Sequence, residues 1–184
     1  MAKGTEMGIT LIQEYLSSVP AWYLATSVEG QPHVRPFSFA ALEGGRLWFA
    51  TAKTKDVYQE LKTNPRFELT AWKPGSGWII LRGQADLEDT ANKRTRHAAW
   101  EHLQSLGESY DGPDDPRLTL FSFTQGEAWL CDIDGSWSPI PLEGAFNLRE
   151  EAHSVSMPPN APSCDHTTQD PPHQAVGSGS TPPS

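Results

Sequence analysis

Eight strand-length runs, most of them closed by a glycine- or proline-bearing turn, leave this chain little choice of architecture. Ala21–Val28 alternates, with Trp22, Leu24 and Val28 on one face and Tyr23 and Ala25 on the other. Glu29-Gly30-Gln31 turns the chain into His33–Leu42, and Glu43-Gly44-Gly45 turns it again into Arg46–Ala50. Arg66–Lys73 and Trp78–Glu88 flank Pro74-Gly75-Ser76-Gly77. Leu118–Phe123 and Glu127–Ile133 flank Thr124-Gln125-Gly126, and Trp137–Leu142 is the last run. Two-residue periodicity bounded by such turns is the signature of antiparallel hairpins. Eight in succession predict an antiparallel barrel, which also removes exposed strand edges.

Three stretches have helical spacing instead. Glu6–Val19 places Ile9, Ile12, Tyr15, Leu16 and Val19 on one stripe before Pro20 stops it. A short helix capped by Thr54 presents Val57, Tyr58 and Leu61 and ends at Asn64-Pro65. Thr90–Leu106 is the third, with Ala91, Ala98, Leu103 and Leu106 predicted to face inward.

Composition divides the chain in two. Residues 150–184 contain no Lys, Arg, Phe, Trp or Tyr but hold seven of the 16 prolines. Such a segment buries too little apolar surface to offset its ordering entropy, so a domain over residues 1–149 with a disordered tail over residues 150–184 is expected. The net charge of −9 argues against a general nucleic-acid binder, which needs a basic footprint. No apolar run is long enough for a membrane-spanning helix, and the first residues lack a signal-like apolar stretch. Cys131 and Cys164 have no metal-ligand spacing, and two unbridged thiols are expected. A cytoplasmic location follows as the expectation.

The functional signal lies in Phe49-Ala50-Thr51-Ala52-Lys53-Thr54-Lys55-Asp56. Here a strand passes into a helix with two lysines and two threonines at the junction. Ammonium groups, hydroxyls and the free amides of a helix start together form an anion cradle, although a solvated turn has the same composition. Arg35 is expected to point at the same place, from a strand paired with Arg46–Ala50. His97 and His102, five apart, miss the spacing for a shared metal ion, and no metal site is expected. Trp72 and Trp78 flank a turn and are candidate pocket walls, whereas most of the seven tryptophans should be core. No catalytic side chain can be singled out.

The order His33-Val34-Arg35-Pro36-Phe37-Ser38-Phe39, Leu47-Trp48-Phe49-Ala50-Thr51, Thr54-Lys55-Asp56-Val57-Tyr58-Gln59-Glu60-Leu61 and Asn64-Pro65 resembles the pyridoxamine 5′-phosphate oxidase-like superfamily of FMN-binding split barrels. The likeness continues through Gly77–Ala85, Asp115-Pro116-Arg117, Gly126-Glu127-Ala128 and Asp132-Ile133-Asp134-Gly135. It implies a homodimer of six-stranded split barrels with FMN at the subunit interface. By position it implies that Arg35 opens the flavin-binding strand, near either the ring or the phosphate, and that Pro36, Phe37 and Ser38 pass their backbone along the ring edge. Ala50 and Thr51 would contact the ribityl chain and phosphate, Lys53, Thr54 and Lys55 would hold the phosphate, and Trp78 would reach the flavin from the partner subunit. Two departures separate this chain from the oxidases proper. Asp56 and Val57 stand where those have a basic pair, and the Arg-x-His motif near their C-terminus is missing here. The sequence is more similar to the general-stress and nitroimidazole-reductase-like branches. The implied activity is FMN-dependent electron transfer from a nicotinamide nucleotide to a small planar acceptor such as a nitroaromatic or quinone. The alternatives are a non-enzymatic flavin-binding or sensor module, or the same barrel holding a deazaflavin or a haem, with His33 as the axial ligand.

Overall fold

Hairpin chemistry shapes most of the molecule. The computed structural model describes residues 3–142, with side chains from residue 7 onward; the expected tail over residues 150–184 lies outside them. Helix α1 (Lys3–Ser17) is followed by strands β1 (Trp22–Val28), β2 (Gln31–Phe37), β3 (Ala40–Glu43) and β4 (Arg46–Ala52). Helix α2 (Asp56–Thr63), strands β5 (Arg66–Lys73) and β6 (Gly77–Asp86), helix α3 (Lys93–Ser105), and strands β7 (Leu118–Cys131) and β8 (Trp137–Ile140) complete the order. One antiparallel sheet runs β2-β1-β5-β6-β7-β4-β3, with β8 added to β7. It has eight strands where the resemblance implied six, and two of them, β3 and β8, are only four residues long. Mainly β, with three helices and an antiparallel sheet, the architecture is consistent with a split barrel. The two halves of β7 share one edge between different partners: Leu118–Ser122 pairs with β4, and Ala128–Cys131 pairs with β8.

Strand β7 corrects the expected hairpin at Thr124-Gln125-Gly126. The chain continues straight through these residues, and Trp78 to Asp86 of β6 lie beside it across an irregularity at Gln84/Ala85. Gly126 is needed here for close approach: a Cβ on it would stand 1.9 Å from the carbonyl oxygen of Arg82 and 2.6 Å from Cα of Gly83. A glycine inside a strand pattern marks either a turn or two backbones in contact, and here it marks contact.

The expected strand His33–Leu42 is also two strands, broken at Ser38-Phe39. Phe37 and Phe39 have the same parity and would face one side of an unbroken strand. Instead Phe37 packs on the main core, 5.1 Å from the Trp22 ring, whereas Phe39 joins a second core with Trp48 and Leu103. The chain must turn between them. Arg35 therefore sits opposite Leu24 of β1, and the partner of β4 on this side is β3.

The main core gathers Ile12 and Leu16 of α1 with Trp22, Phe49, Leu69, Leu81 and Phe121. The second core lies under α3, which buries Thr95, Ala99 and Leu103 at helical spacing. Asn92 caps that helix by accepting from the Thr95 amide at 2.9 Å. Of the four residues expected to face inward, Leu103 does so, while Ala98 and Leu106 are exposed and Ala91 is only half-buried. Strand β4 is buried on both faces: Leu47 and Phe49 enter the main core, and Trp48, Ala50 and Ala52 the second. That double burial explains its uninterrupted apolar run. Cys131 is buried at the end of β7.

Candidate functional site

Where β4 leaves the two cores and becomes α2, a cleft of about 470 Å³ opens along their seam. Its β2 wall is Arg35, Pro36, Phe37 and Ser38; its opposite wall is Ala50, Thr51, Lys55 and Val57. The C-terminal end of α3 and the loop after it close the cleft with Leu103, Leu106 and Glu108. The cleft thus unites seven of the ten residues singled out from the sequence. Lys53 and Thr54 lie exposed on the turn before α2, outside the lining. Trp78 lines a neighbouring hollow of about 710 Å³ with Trp72, and Pro20 and Ala21 border both.

Arg35 is on the inward face of β2, in register with Leu24, so its charge needs a partner below the sheet surface. That partner is Glu60, a buried carboxylate on α2. One Glu60 oxygen accepts from Arg35 Nη2 and from the Thr26 hydroxyl; the other accepts from His33 Nδ1 at 2.5 Å. An ionised carboxylate only accepts, so His33 carries its proton on Nδ1. Arg35 Nη1 donates to Thr26 Oγ1 at 2.5 Å and to the His33 carbonyl at 3.1 Å. Burial pushes the Glu60 carboxyl up, but its bonds to Thr26 and His33 and the Arg35 charge outweigh that and hold it below its ordinary value.

The second charged contact is at the helix start. Lys55 is the N-cap of α2, and its side chain makes no capping bond. Its ammonium donates instead to Glu108 at 2.7 Å, and the Tyr110 hydroxyl donates to the same carboxylate at 2.8 Å. Partial burial raises the Glu108 carboxyl, whereas Lys55 and Tyr110 pull it down, and the net direction is down. Ser38 Oγ lies 2.7 Å from His102 Nε2 of α3, joining the β2 wall to that helix.

These residues fit a planar ligand carrying a phosphate. Lys55 and an α2 start without a side-chain cap supply positive potential. Thr51 is buried on the cleft wall, and its hydroxyl makes no hydrogen bond among the described residues. Phe37 and Phe39 offer apolar surface for a ring. Glu60, His102 and Glu108 were missed in the sequence. The helical stripe from Val57 to Leu61 accounts for apolar positions only, and neither His102 nor Glu108 belongs to a motif.

The fold and this cleft define an antiparallel protein of the split-barrel type with Arg35, Thr51 and Lys55 gathered at a strand-to-helix junction. The chain belongs to the pyridoxamine 5′-phosphate oxidase family, whose model matches residues 10–131. Among solved structures it is similar to a NimC/NimA family protein from Clostridium acetobutylicum, at 28% identity over 75% of this chain and 94% of that one, with a TM-score of 0.66. It is similar in fold to General Stress Protein 26 from Bacillus anthracis, at 19% identity over 73% of this chain and 97% of that one, TM-score 0.56. A pyridoxamine 5′-phosphate oxidase-related, FMN binding protein from Nostoc punctiforme shares the fold at 16% identity over 72% of this chain and 93% of that one, TM-score 0.50. No curated protein matches the chain.

Proposed function

We propose that the cleft binds FMN and that the protein is an oxidoreductase, passing electrons from a nicotinamide nucleotide to a small planar acceptor in the cytoplasm. The observation that carries this reading is the convergence of Arg35, Thr51 and Lys55 on one cleft at the end of β4. Membership of a family with an FMN binding protein among its structural neighbours points the same way. FMN, when bound, supplies the two-electron chemistry, so the protein needs to bind, orient and shield rather than react. Lys55 and the first amides of α2 neutralise the phosphate, with Lys53 and Thr54 adding charge and a hydroxyl from the adjacent turn. Thr51 offers its hydroxyl to the ribityl-phosphate end. Arg35 brings positive charge to the β2 wall, beside Pro36, Phe37 and Ser38.

The active unit in this reading is a homodimer. Tyr23, Val34 and Trp72 are all exposed on one face of β2-β1-β5, at 52%, 64% and 61%. A second subunit on that face would cover them and lie against the hollow that holds Trp78. The haem alternative is weaker, because the His33 imidazole it needs is bound to Glu60 and does not line the cleft.

An absorption spectrum of the purified protein tests the cofactor, with a band near ~450 nm expected for flavin. A preparation that stays colourless after soaking with FMN refutes it. Anaerobic mixing with NADH and with NADPH tests the activity. Bleaching by either supports a reductase, and a flavin that neither reduces leaves a binding module. Sedimentation velocity of the wild type and of Trp72→Glu tests the dimer, which the substitution should dissociate.

A further inference from the structure

Glu60 does not line the cleft and has no part in holding the proposed flavin, yet it is a buried carboxylate with three side-chain donors, one of them the cleft-wall residue Arg35. Burying it is unfavourable unless donors replace water, and three side chains do so: Thr26 from β1, and His33 and Arg35 from β2. The placement matters because the two walls of the cleft have no backbone ladder between them. Strand β2 pairs with β1, whereas β4 pairs with β3 and β7. Among the described residues, the side-chain hydrogen bonds from β2 to α2 are the two that end on Glu60. Glu60 also sits on the same eight-residue helix whose N-cap is Lys55.

We propose that Glu60 is the positioning residue of this cleft: it fixes the Arg35 guanidinium on the β2 wall and ties that wall to the helix that begins at Lys55. The guanidinium is a planar fork, so anchoring Nη1 on Thr26 and the His33 carbonyl and Nη2 on Glu60 sets the direction of its remaining N–H groups. The cleft is thereby organised before a ligand enters, and a ligand need not supply the ordering of Arg35. Glu60 acts through Arg35 and touches no ligand itself.

The role of Glu60 in FMN affinity rests on the flavin reading; its hold on Arg35 does not, and the two are measured separately. In the ligand-free protein, the Arg35 guanidinium ¹⁵N resonances should be resolved and slow to exchange in the wild type, and should collapse in Glu60→Gln. Identical Arg35 spectra overturn the tie. FMN titrations followed by fluorescence quenching then compare wild type, Glu60→Gln, Arg35→Gln and the double variant. Glu60→Gln should weaken binding about 10-fold, and the double variant should bind no worse than Arg35→Gln alone. Additive losses, or a Glu60→Gln protein that binds as the wild type does, overturn the positioning role. If the wild type takes up no FMN, the flavin reading fails and the Arg35 resonances alone decide. Should Glu60→Gln not fold, Arg35→Lys keeps the charge without the fork and must show the same loss; wild-type binding by it overturns the proposal.

Discussion

Glu108→Gln should tighten FMN binding. In the ligand-free cleft Glu108 occupies Lys55 at 2.7 Å, in the position of a counter-anion, so an incoming phosphate competes with it. The pair is partly solvated, with the Lys55 side chain 46% and that of Glu108 32% exposed. A pair so exposed is worth about 0.2–1 kcal/mol. Freeing Lys55 therefore corresponds to a gain of about 1.4- to 5-fold in affinity. Removing the carboxylate charge from beside the phosphate adds to that gain, so the range is a lower bound. The amide oxygen of the substituted side chain can still accept from the Tyr110 hydroxyl, so the loop should keep its shape. Parallel titrations with FMN and riboflavin are the assay, because riboflavin lacks the phosphate and should bind both proteins alike. The FMN difference should shrink in high salt, where an exposed pair is screened. Unchanged or weaker FMN binding by a folded Glu108→Gln protein refutes the competition.

Lys55→Gln should act in the opposite direction, weakening FMN by about 10- to 100-fold while sparing riboflavin; this loss corresponds to one charge-assisted bond and is read from the same titrations. Glu60 should give the fold an acid-sensitive component. Its carboxyl is held below the ordinary value of 4.5 in the folded protein, so its contribution is present above that value and is lost as pH falls through the lower, folded pKa. Melting curves of the wild type and Glu60→Gln should accordingly converge on acidification, and a constant gap would refute this assignment. Gly126→Ala should destabilise the protein by about 2–3 kcal/mol, since its Cβ would meet the Arg82 carbonyl at 1.9 Å and both neighbours are backbone; denaturant midpoints measure this.

The sequence pattern reports what each residue's own neighbours impose, and the errors fall where distant segments decide. The three helices and the β5–β6 hairpin were legible because periodicity and turn chemistry are local. The fate of Gly126 was not, since a turn glycine and a close-approach glycine have the same spelling and only the opposing Gly83 separates them. The break after Phe37 was hidden for a related reason. Parity alone puts Phe37 and Phe39 on one side of a single strand and does not show that two different cores receive them.

The cationic half of the cleft was visible in advance, because Arg35, Thr51 and Lys55 stand in strand ends and at a helix start, where cationic and hydroxyl side chains have a recognisable use. Its anionic half was invisible. Glu60 is 25 residues from Arg35, and Glu108 is 53 from Lys55; each looks like ordinary surface charge until the chain folds. Both carboxylates hold one of the cations expected to meet the ligand, but they differ in consequence. Glu60 is buried and takes three donors, so it keeps Arg35 whether or not a ligand is present. Glu108 is half-exposed, engaged by Lys55 and Tyr110, and sits on the loop after α3, so Lys55 can exchange it for a phosphate at small cost. One wall of the cleft is thus fixed and the other is exchangeable, and that asymmetry predicts an ordered Arg35 beside a Lys55 that changes partner on binding.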